Sequence, residues 1–371
     1  MVMKRVYKWD FEYLLDLQED FQMKADESTL DVDKERYLDI VDEISELLCM
    51  IVFSEGTLVS DNIRQQEMLD NLRMCEYVPD YSDLTDDLVD KLIPMLADMD
   101  IIPNIKYKTK IDMATCLDIL GNVILNVFDE KHLEVYNEYI RNKKDVILLS
   151  NVIESASTTT LNVEGEEIHY IAVGNKNNFD MFSNLIHEIG HVFRLVNNKY
   201  LIDEDDKLYE FEAYMYQIKI LDYLIKNDVY RDEAITALLD IFKTIERVAV
   251  LIDASKKYGL KKQFNVGNFK DICAKINLYD RAYLNNTSHL IEYLEYIYSR
   301  NILNYIYSLL FVLEIFDEEK EEEIYNYVIN NIGNMNTDMY VKEIFDDPIT
   351  FNGLKKYKDY RGYVLSLIKK D

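Results

Sequence analysis

The segment NLIHEIGHVF, residues 184–193, contains two histidines four positions apart and a glutamate directly after the first. On a helix, side chains at i and i+4 share one face with Cβ atoms about 6 Å apart, so His187 and His191 can bind one metal ion. Imidazole nitrogens bind Zn²⁺ at about 2.0–2.1 Å. Glu188 lies about 100° around the helix from His187, beside the metal position. A carboxylate there can accept a proton from metal-bound water, so this spacing predicts a zinc metallopeptidase.

A catalytic zinc takes three protein ligands and keeps a fourth position open. The next predicted helix, EFEAYMYQIKILDYLIK, offers Glu210 and Glu212 as the third ligand. Glu210 shares its helix face with mostly apolar residues, and a carboxylate on a buried face needs a cation. Glu212 shares a face with Lys219 and Lys226, so it is expected to be solvated. Helical geometry therefore favours Glu210, with Glu212 as the alternative.

The elements that position these residues are mostly helices. Apolar residues recur at helical spacing through residues 8–142, and Gly (10) and Pro (4) are scarce in the 371 residues. Three short runs, DVILLSNV, TTTLNVEG and EIHYIAVG, predict a small sheet just before the HExxH helix. The chain then returns to predicted helices at about 178–198, 206–227, 229–257 and 288–316. We therefore predict a mainly α fold, with an N-terminal helical region (1–142) and a catalytic region (143–371) that form one continuous helical bowl.

Composition argues against several classes of partner. The net charge of −28 repels phosphate, so neither nucleic acid nor an anionic membrane is an expected partner. The N-terminus lacks the apolar core of a signal peptide, and the longest apolar stretch is too short to span a bilayer. The four cysteines have no zinc-knuckle or redox spacing and are interpreted as reduced core residues. We therefore expect a soluble cytoplasmic protein.

From about Ile168 to the C-terminus, the chain resembles the thimet oligopeptidase and oligoendopeptidase F family of zinc peptidases. That family is of the gluzincin type. The segment HYIAVGNKNNFDMFSNLIHEIGHVF is similar to its edge strand, turn and HExGH helix. EFEAYMYQIKILDYLI is similar to its ligand helix, where a Glu-x-x-Ser/Ala register again selects Glu210. The resemblance implies a shortened member, because this chain is shorter than typical members. Arg194 stands where the family often has another histidine.

The resemblance also implies further catalytic groups on a later helix, in HLIEYLEYIYSRNILNYIYSLLFVLEIF. In the family, a histidine and tyrosines on this helix stabilise the tetrahedral intermediate. His289 takes the histidine role here, and Tyr298 is the best match for the tyrosine. Tyr296 and Tyr293 are the alternatives, because the spacing differs by about one residue. One Zn²⁺ per chain and a deep channel that admits short peptides are implied as well.

The working hypothesis is a zinc-dependent endopeptidase or oligopeptidase that hydrolyses short unstructured peptides. Zinc polarises the scissile carbonyl, and Glu188 moves a proton from water to the leaving amine. The strand EIHYIAV is expected to bind the substrate backbone as an added strand, with His169 structural or facing the substrate rather than the metal. Two alternatives are a regulatory metalloprotease acting on one protein partner and a catalytically inactive helical binding protein.

Overall fold

The computed structural model describes residues 11–55, 88–142, 146–150, 156–163, 166–197, 208–258, 303–316, 321–331 and 352–368. These residues confirm a mainly α fold with a small sheet just before the HExxH helix. The chain divides into two compact units, Met1–Leu58 with Tyr107–Val196, and Val59–Lys106 with Asn197–Asp371. The predicted boundary near residue 142 stays a prediction. Among the described helices, none combines the length and the hydropathy that crossing a membrane requires.

The described part of the first unit contains five α-helices, one π-helix and three strands. Its elements, in chain order, are α1 (Phe11–Glu27), α2 (Asp31–Glu55), α4 (Met113–Val127), α5 (Glu130–Val135), a π-helix (Tyr136–Arg141), β1 (Ile147–Ser150), β2 (Ala156–Val163), β3 (Glu166–Gly174) and α6 (Phe179–Asn197). The second unit contributes α3 (Leu88–Ala97), α7 (Phe211–Lys226), α8 (Arg231–Tyr258), α9 (Leu303–Ile315), α10 (Glu321–Asn331) and α11 (Asn352–Ser366). Each of the three predicted strand segments overlaps one of these strands.

The strand order is β1-β3-β2, so β3 is the central strand. It runs parallel to β1, with Ile171 opposite Ile147, and antiparallel to β2, with His169 opposite Thr160. The expectation that this strand adds a substrate at an edge is therefore wrong, because both sides of β3 already have partners. Its continuous buried run from Ile168 to Val173 is typical of a strand covered on both faces.

One face of the sheet is covered by the α1–α2 helix pair. The buried side chains that join them are Leu14, Leu17 and Phe21 of α1, Ile40, Ile44, Leu47 and Leu48 of α2, and Leu161, Ile168 and Tyr170 of the sheet. The helical members recur at spacings of three and four residues, which places them on one stripe of each helix. Each fully buried side chain of this kind contributes about 1.5–3 kcal/mol, so this layer holds the sheet in place.

The start of α6 is fixed by local hydrogen bonds. The side-chain oxygen of Asn178 accepts from the backbone N–H groups of Asp180 (3.1 Å) and Met181 (3.3 Å), which is N-terminal capping. Asn177 has a φ of 46°, a left-handed conformation that asparagine tolerates better than most residues. Asn178 also forms a β-bridge with Lys110. The predicted helix at 178–198 is thus confirmed to within one residue at each end.

The second unit packs its helices around buried polar groups as well as apolar ones. The Arg361 side chain of α11 donates to Glu246 of α8 at 2.6 Å and to the Asp100 carbonyl at 2.6 Å, and Tyr357 donates to the same glutamate at 3.3 Å. Gly353 lets α11 approach α9, because a Cβ there would lie 3.1 Å from the Leu310 carbonyl oxygen. These contacts tie α8, α9 and α11 together.

Candidate metal centre

The HExxH helix places its two histidines on one face. The ring centroids of His187 and His191 are 4.8 Å apart, and the rings are nearly perpendicular, at 85°. His191 is buried and His187 is half-buried. Most other side chains of α6 are buried too, including Leu185, Ile189 and Val192. The histidines therefore stand in surroundings that are largely apolar, where a bound ion would interact strongly with its ligands.

The C-terminal half of α6 packs against His132, a residue that no sequence pattern connected with the site. The ring of His132 stacks on Phe193 with centroids 3.8 Å apart and planes at 7°, and its Nδ1 lies 2.6 Å from Asp129. Burial alone would raise the pKa of Asp129, but hydrogen bonds from His132 outweigh it, so that pKa is lowered. His132 thus supports α6 two residues beyond His191.

Glu210 lies directly before α7, at the N-cap position, and only 4% of its surface is exposed. Its backbone N–H donates a hydrogen bond of 3.2 Å to the hydroxyl of Ser308, a fully buried residue of α9. No local sequence pattern predicts this contact, which joins residues 98 positions apart. Ser308 therefore fixes the backbone from which the Glu210 carboxylate projects.

Three ligand atoms, one each from His187, His191 and Glu210, lie within 4.8 Å of one another. In the part of the chain that the structure describes, this is the one group of three or more His, Cys, Asp or Glu side chains that converge in this way. Two imidazoles and one carboxylate form the ligand set of several catalytic zinc sites, with a fourth position left for water or substrate. The donor set therefore fits zinc.

Glu212 is not solvated, contrary to the expectation from its helix face. It is fully buried and accepts a hydrogen bond of 3.0 Å from the hydroxyl of Tyr325 on α10. Lys219, its expected neighbour, instead pairs with Glu321 at 2.5 Å. The expectation was wrong because α7 is buried on nearly all sides, so charged residues on it do not mark a solvent-facing stripe. Exposure thus does not distinguish Glu210 from Glu212.

Among the described residues, the Glu188 side chain has one hydrogen-bond partner, which no sequence pattern predicted. The hydroxyl of Thr158, on β2, donates to Oε2 of Glu188 at 2.6 Å and lies 3.4 Å from its backbone carbonyl oxygen. Only 5% of the Glu188 surface is exposed. The face of the sheet opposite the one that α1 and α2 cover therefore contacts α6 at Glu188, the predicted general base.

His169 lies on the same sheet face as Thr158, because its pairing partner is Thr160 and residues two apart on a strand share a face. Its Nδ1 is 2.9 Å from the Thr160 hydroxyl, and its ring lies 5.4 Å from that of Tyr139. The side chain is 2% exposed, in agreement with a structural role. It is not among the converging metal-ligand atoms.

The remaining predicted catalytic residues are His289, Tyr293, Tyr296 and Tyr298. All four lie outside the residues that the structure describes, and their assigned roles stay predictions.

Comparison with known proteins identifies the fold of this chain but not its activity. No protein-family model matches the sequence, and no curated protein matches it. The structure is similar to PZ peptidase A solved with inhibitor 2, with a TM-score of 0.53 at 12% identity over 95% of this chain and 72% of that one. It also matches a presumed oligoendopeptidase F from Bacillus anthracis str. Ames, with a TM-score of 0.49 at 13% identity over 91% and 66% of the two chains. The likeness to PZ peptidase A shows that this chain shares the fold of that protein.

Proposed function

We propose that the protein is a zinc-dependent metallopeptidase, an endopeptidase or oligopeptidase that hydrolyses short unstructured peptides. The observation that carries the proposal is the convergence of ligand atoms from His187, His191 and Glu210 within 4.8 Å, beside a buried glutamate in HExxH spacing. A purely structural zinc site is closed by four ligands and has no use for an adjacent general base. Three ligands with Glu188 next to them match a catalytic site instead.

In this proposal, His187, His191 and Glu210 hold one Zn²⁺ per chain. When bound, zinc polarises a carbonyl group and lowers the pKa of a bound water molecule. The chain's part is to orient both imidazoles on one face of α6, in surroundings that are largely apolar.

Glu188 is the proposed general base. Its carboxylate accepts the proton of the attacking water and then donates it to the leaving amine. With Oε2 hydrogen-bonded by Thr158, Oε1 is the oxygen that accepts this proton. His289 and one of the tyrosines, Tyr298 or Tyr296, are proposed to hydrogen-bond the oxyanion, as the family resemblance implies.

Substrates in this proposal are short peptides that can lie extended. The sheet offers β2 as an edge for such a peptide, since β3 is central and no described strand pairs with the outer side of β2. Backbone pairing at a strand edge binds many sequences but requires an extended segment, which a folded protein does not present. Nucleic acid and membranes are not proposed as partners, given the charge of −28, and the proposed location is the cytoplasm.

The test compares the wild type with Glu188→Gln on a pool of short unstructured peptides and on a folded protein, with zinc measured by mass spectrometry. We expect one zinc per chain in both proteins, because Glu188 is not a ligand. We expect the wild type to cleave the peptides and not the folded protein. General acid–base catalysis contributes about 10²–10⁴-fold, so the variant should lose activity by that factor.

Three outcomes would count against the proposal. Equal activity in both proteins would remove Glu188 from the reaction. Zinc-loaded wild type with no activity on any peptide would favour the inactive binding protein. Cleavage of one folded partner and of no short peptide would favour the regulatory protease.

A further inference from the structure

The contact between β2 and α6 gives the proposed general base a partner of its own. Thr158 Oγ1 lies 2.6 Å from Glu188 Oε2, within the range of about 2.5–2.7 Å seen for hydroxyl groups that donate to a carboxylate. The hydroxyl has one proton, and the backbone carbonyl at 3.4 Å is the more distant acceptor. Thr158 is therefore the donor and its proton goes to Oε2.

The position of Thr158 on the sheet makes this contact specific to one threonine. Residues 158–160 are all threonine, but neighbouring residues of a strand point to opposite faces. Thr159 is paired with Tyr170, which lies on the face covered by α1 and α2. Thr160 shares the face of Thr158, yet its hydroxyl is 2.9 Å from His169. Of these three threonines, Thr158 alone hydrogen-bonds Glu188.

The contact restrains the Glu188 side chain. A glutamate has three rotatable bonds, and a free carboxylate samples several rotamers. Fixing Oε2 leaves Oε1 facing one direction. Because Glu188 is almost fully buried, a hydrogen bond to it is not weakened by competing water. Threonine is suited to this task, since its branched Cβ restricts the rotation that would move the hydroxyl away.

We propose that Thr158 is a positioning residue that holds the Glu188 carboxylate through Oε2, so that Oε1 can accept the proton of the attacking water. This inference rests on the proposed function for its catalytic consequence. In this scheme the Thr158 side chain acts through Glu188 and binds neither the metal nor the substrate, since a peptide paired at the β2 edge hydrogen-bonds the backbone of the strand. No other described side chain hydrogen-bonds the Glu188 carboxylate. Removing the Thr158 hydroxyl therefore leaves the Glu188 side chain without a fixed orientation.

The test uses Thr158→Val, which keeps the shape and removes the donor, and Thr158→Ser, which keeps the donor. Thr160→Val is the matched control, because it makes the same change on the same strand face without touching Glu188. For Thr158→Val we expect kcat to fall about 10- to 100-fold, the effect of misplacing a reacting group by about 1 Å. KM, bound zinc and the melting temperature should stay near wild type, and Thr158→Ser should restore kcat.

An unchanged kcat in Thr158→Val would overturn the inference, as would an equal loss in Thr160→Val or a failure of serine to restore activity. Crystal structures of the variants give a readout that does not depend on turnover. We expect Glu188 to move or to occupy several rotamers in Thr158→Val and to stay in place in Thr160→Val. If Glu188 is unmoved in both, the positioning role is wrong. If the wild type cleaves nothing, the proposed function fails while these structures still decide the role of Thr158.

Discussion

The hydroxyl of Tyr325 donates a 3.0 Å hydrogen bond to Glu212, a carboxylate with no exposed surface, two residues after Glu210. The two glutamates are thus equally hidden from solvent but have different surroundings. Glu212 is held by α10, whereas Glu210 is the one whose ligand atom converges with the histidines. This difference predicts different consequences when each is removed.

We predict that Glu210→Ala lowers bound zinc to well below one per chain, while Glu212→Ala keeps it. Removing one of three ligands removes a coordinate bond, whereas removing Glu212 leaves the donor set intact. Zinc is measured by mass spectrometry after dialysis, with Glu212→Gln included to preserve the acceptor for Tyr325. Zinc loss confined to the Glu212 variants would mean that the ligand assignment is wrong.

Arg361 and Glu246 form a buried ion pair 2.6 Å apart, with side chains that are 2% and 0% exposed. We predict that Arg361→Met lowers the free energy of unfolding by about 3–5 kcal/mol, since it leaves a buried carboxylate without its cation. Denaturant titration measures the change. Adding Glu246→Leu should recover much of the loss, because the apolar pair no longer contains an isolated charge. If Arg361→Met alone is as stable as wild type, water hydrogen-bonds the Glu246 carboxylate in place of the arginine.

Asp112 caps α4, accepting a hydrogen bond of 2.8 Å from the backbone N–H of Thr115. Hydrogen bonds from Thr115 hold the pKa of Asp112 below its usual range. A lowered pKa contributes stability above the unfolded value of about 3.9 and loses it as the pH falls through the folded value. The stability difference between wild type and Asp112→Ala should therefore be full at pH 7 and shrink below about pH 4.

Asp112→Asn is the matched control for the cap, because asparagine caps a helix about as well and does not titrate. The extra stability of Asp112→Asn relative to Asp112→Ala should be independent of pH. Thermal unfolding at several pH values measures both differences. If the difference between aspartate and alanine is the same at pH 3 and pH 7, the ionised carboxylate is not the stabilising form.

Cys116, on α4, is fully buried, and burial, with a smaller contribution from the charge of Asp112, raises its pKa to about 12. The thiolate is the reactive form, so iodoacetamide at pH 8 should alkylate Cys116 at least about 1000-fold more slowly in the folded protein than in guanidinium. Peptide mass spectrometry follows this cysteine alone. Equal rates in the folded and unfolded protein would show that the first unit opens readily around α4.

Local signals in the sequence predicted the elements around the site well. The helix predicted at about 178–198 begins at Phe179 and ends at Asn197. The runs rich in Val, Ile and Thr became three strands. These features depend on residues a few positions apart, so a single sequence contains the information.

Long-range features were predicted poorly. The central place of β3 depends on its pairing with Ile147–Ser150 and Ala156–Val163 together, and hydrophobic runs do not encode strand order. The burial of Glu212 depends on α10, more than 100 residues away. Thr158 and Ser308 contact the predicted site residues, but a hydroxyl within a Thr run or an apolar helix has no local signature.

The β-bridge between Lys110 and Asn178, together with the Asn178 cap, starts the histidine helix by means of the polypeptide alone. A zinc finger is different, since its chain folds only around the ion. Here neither the bridge nor the cap involves a residue of the proposed ligand set, so a ligand substitution such as Glu210→Ala leaves in place the contacts that start the helix.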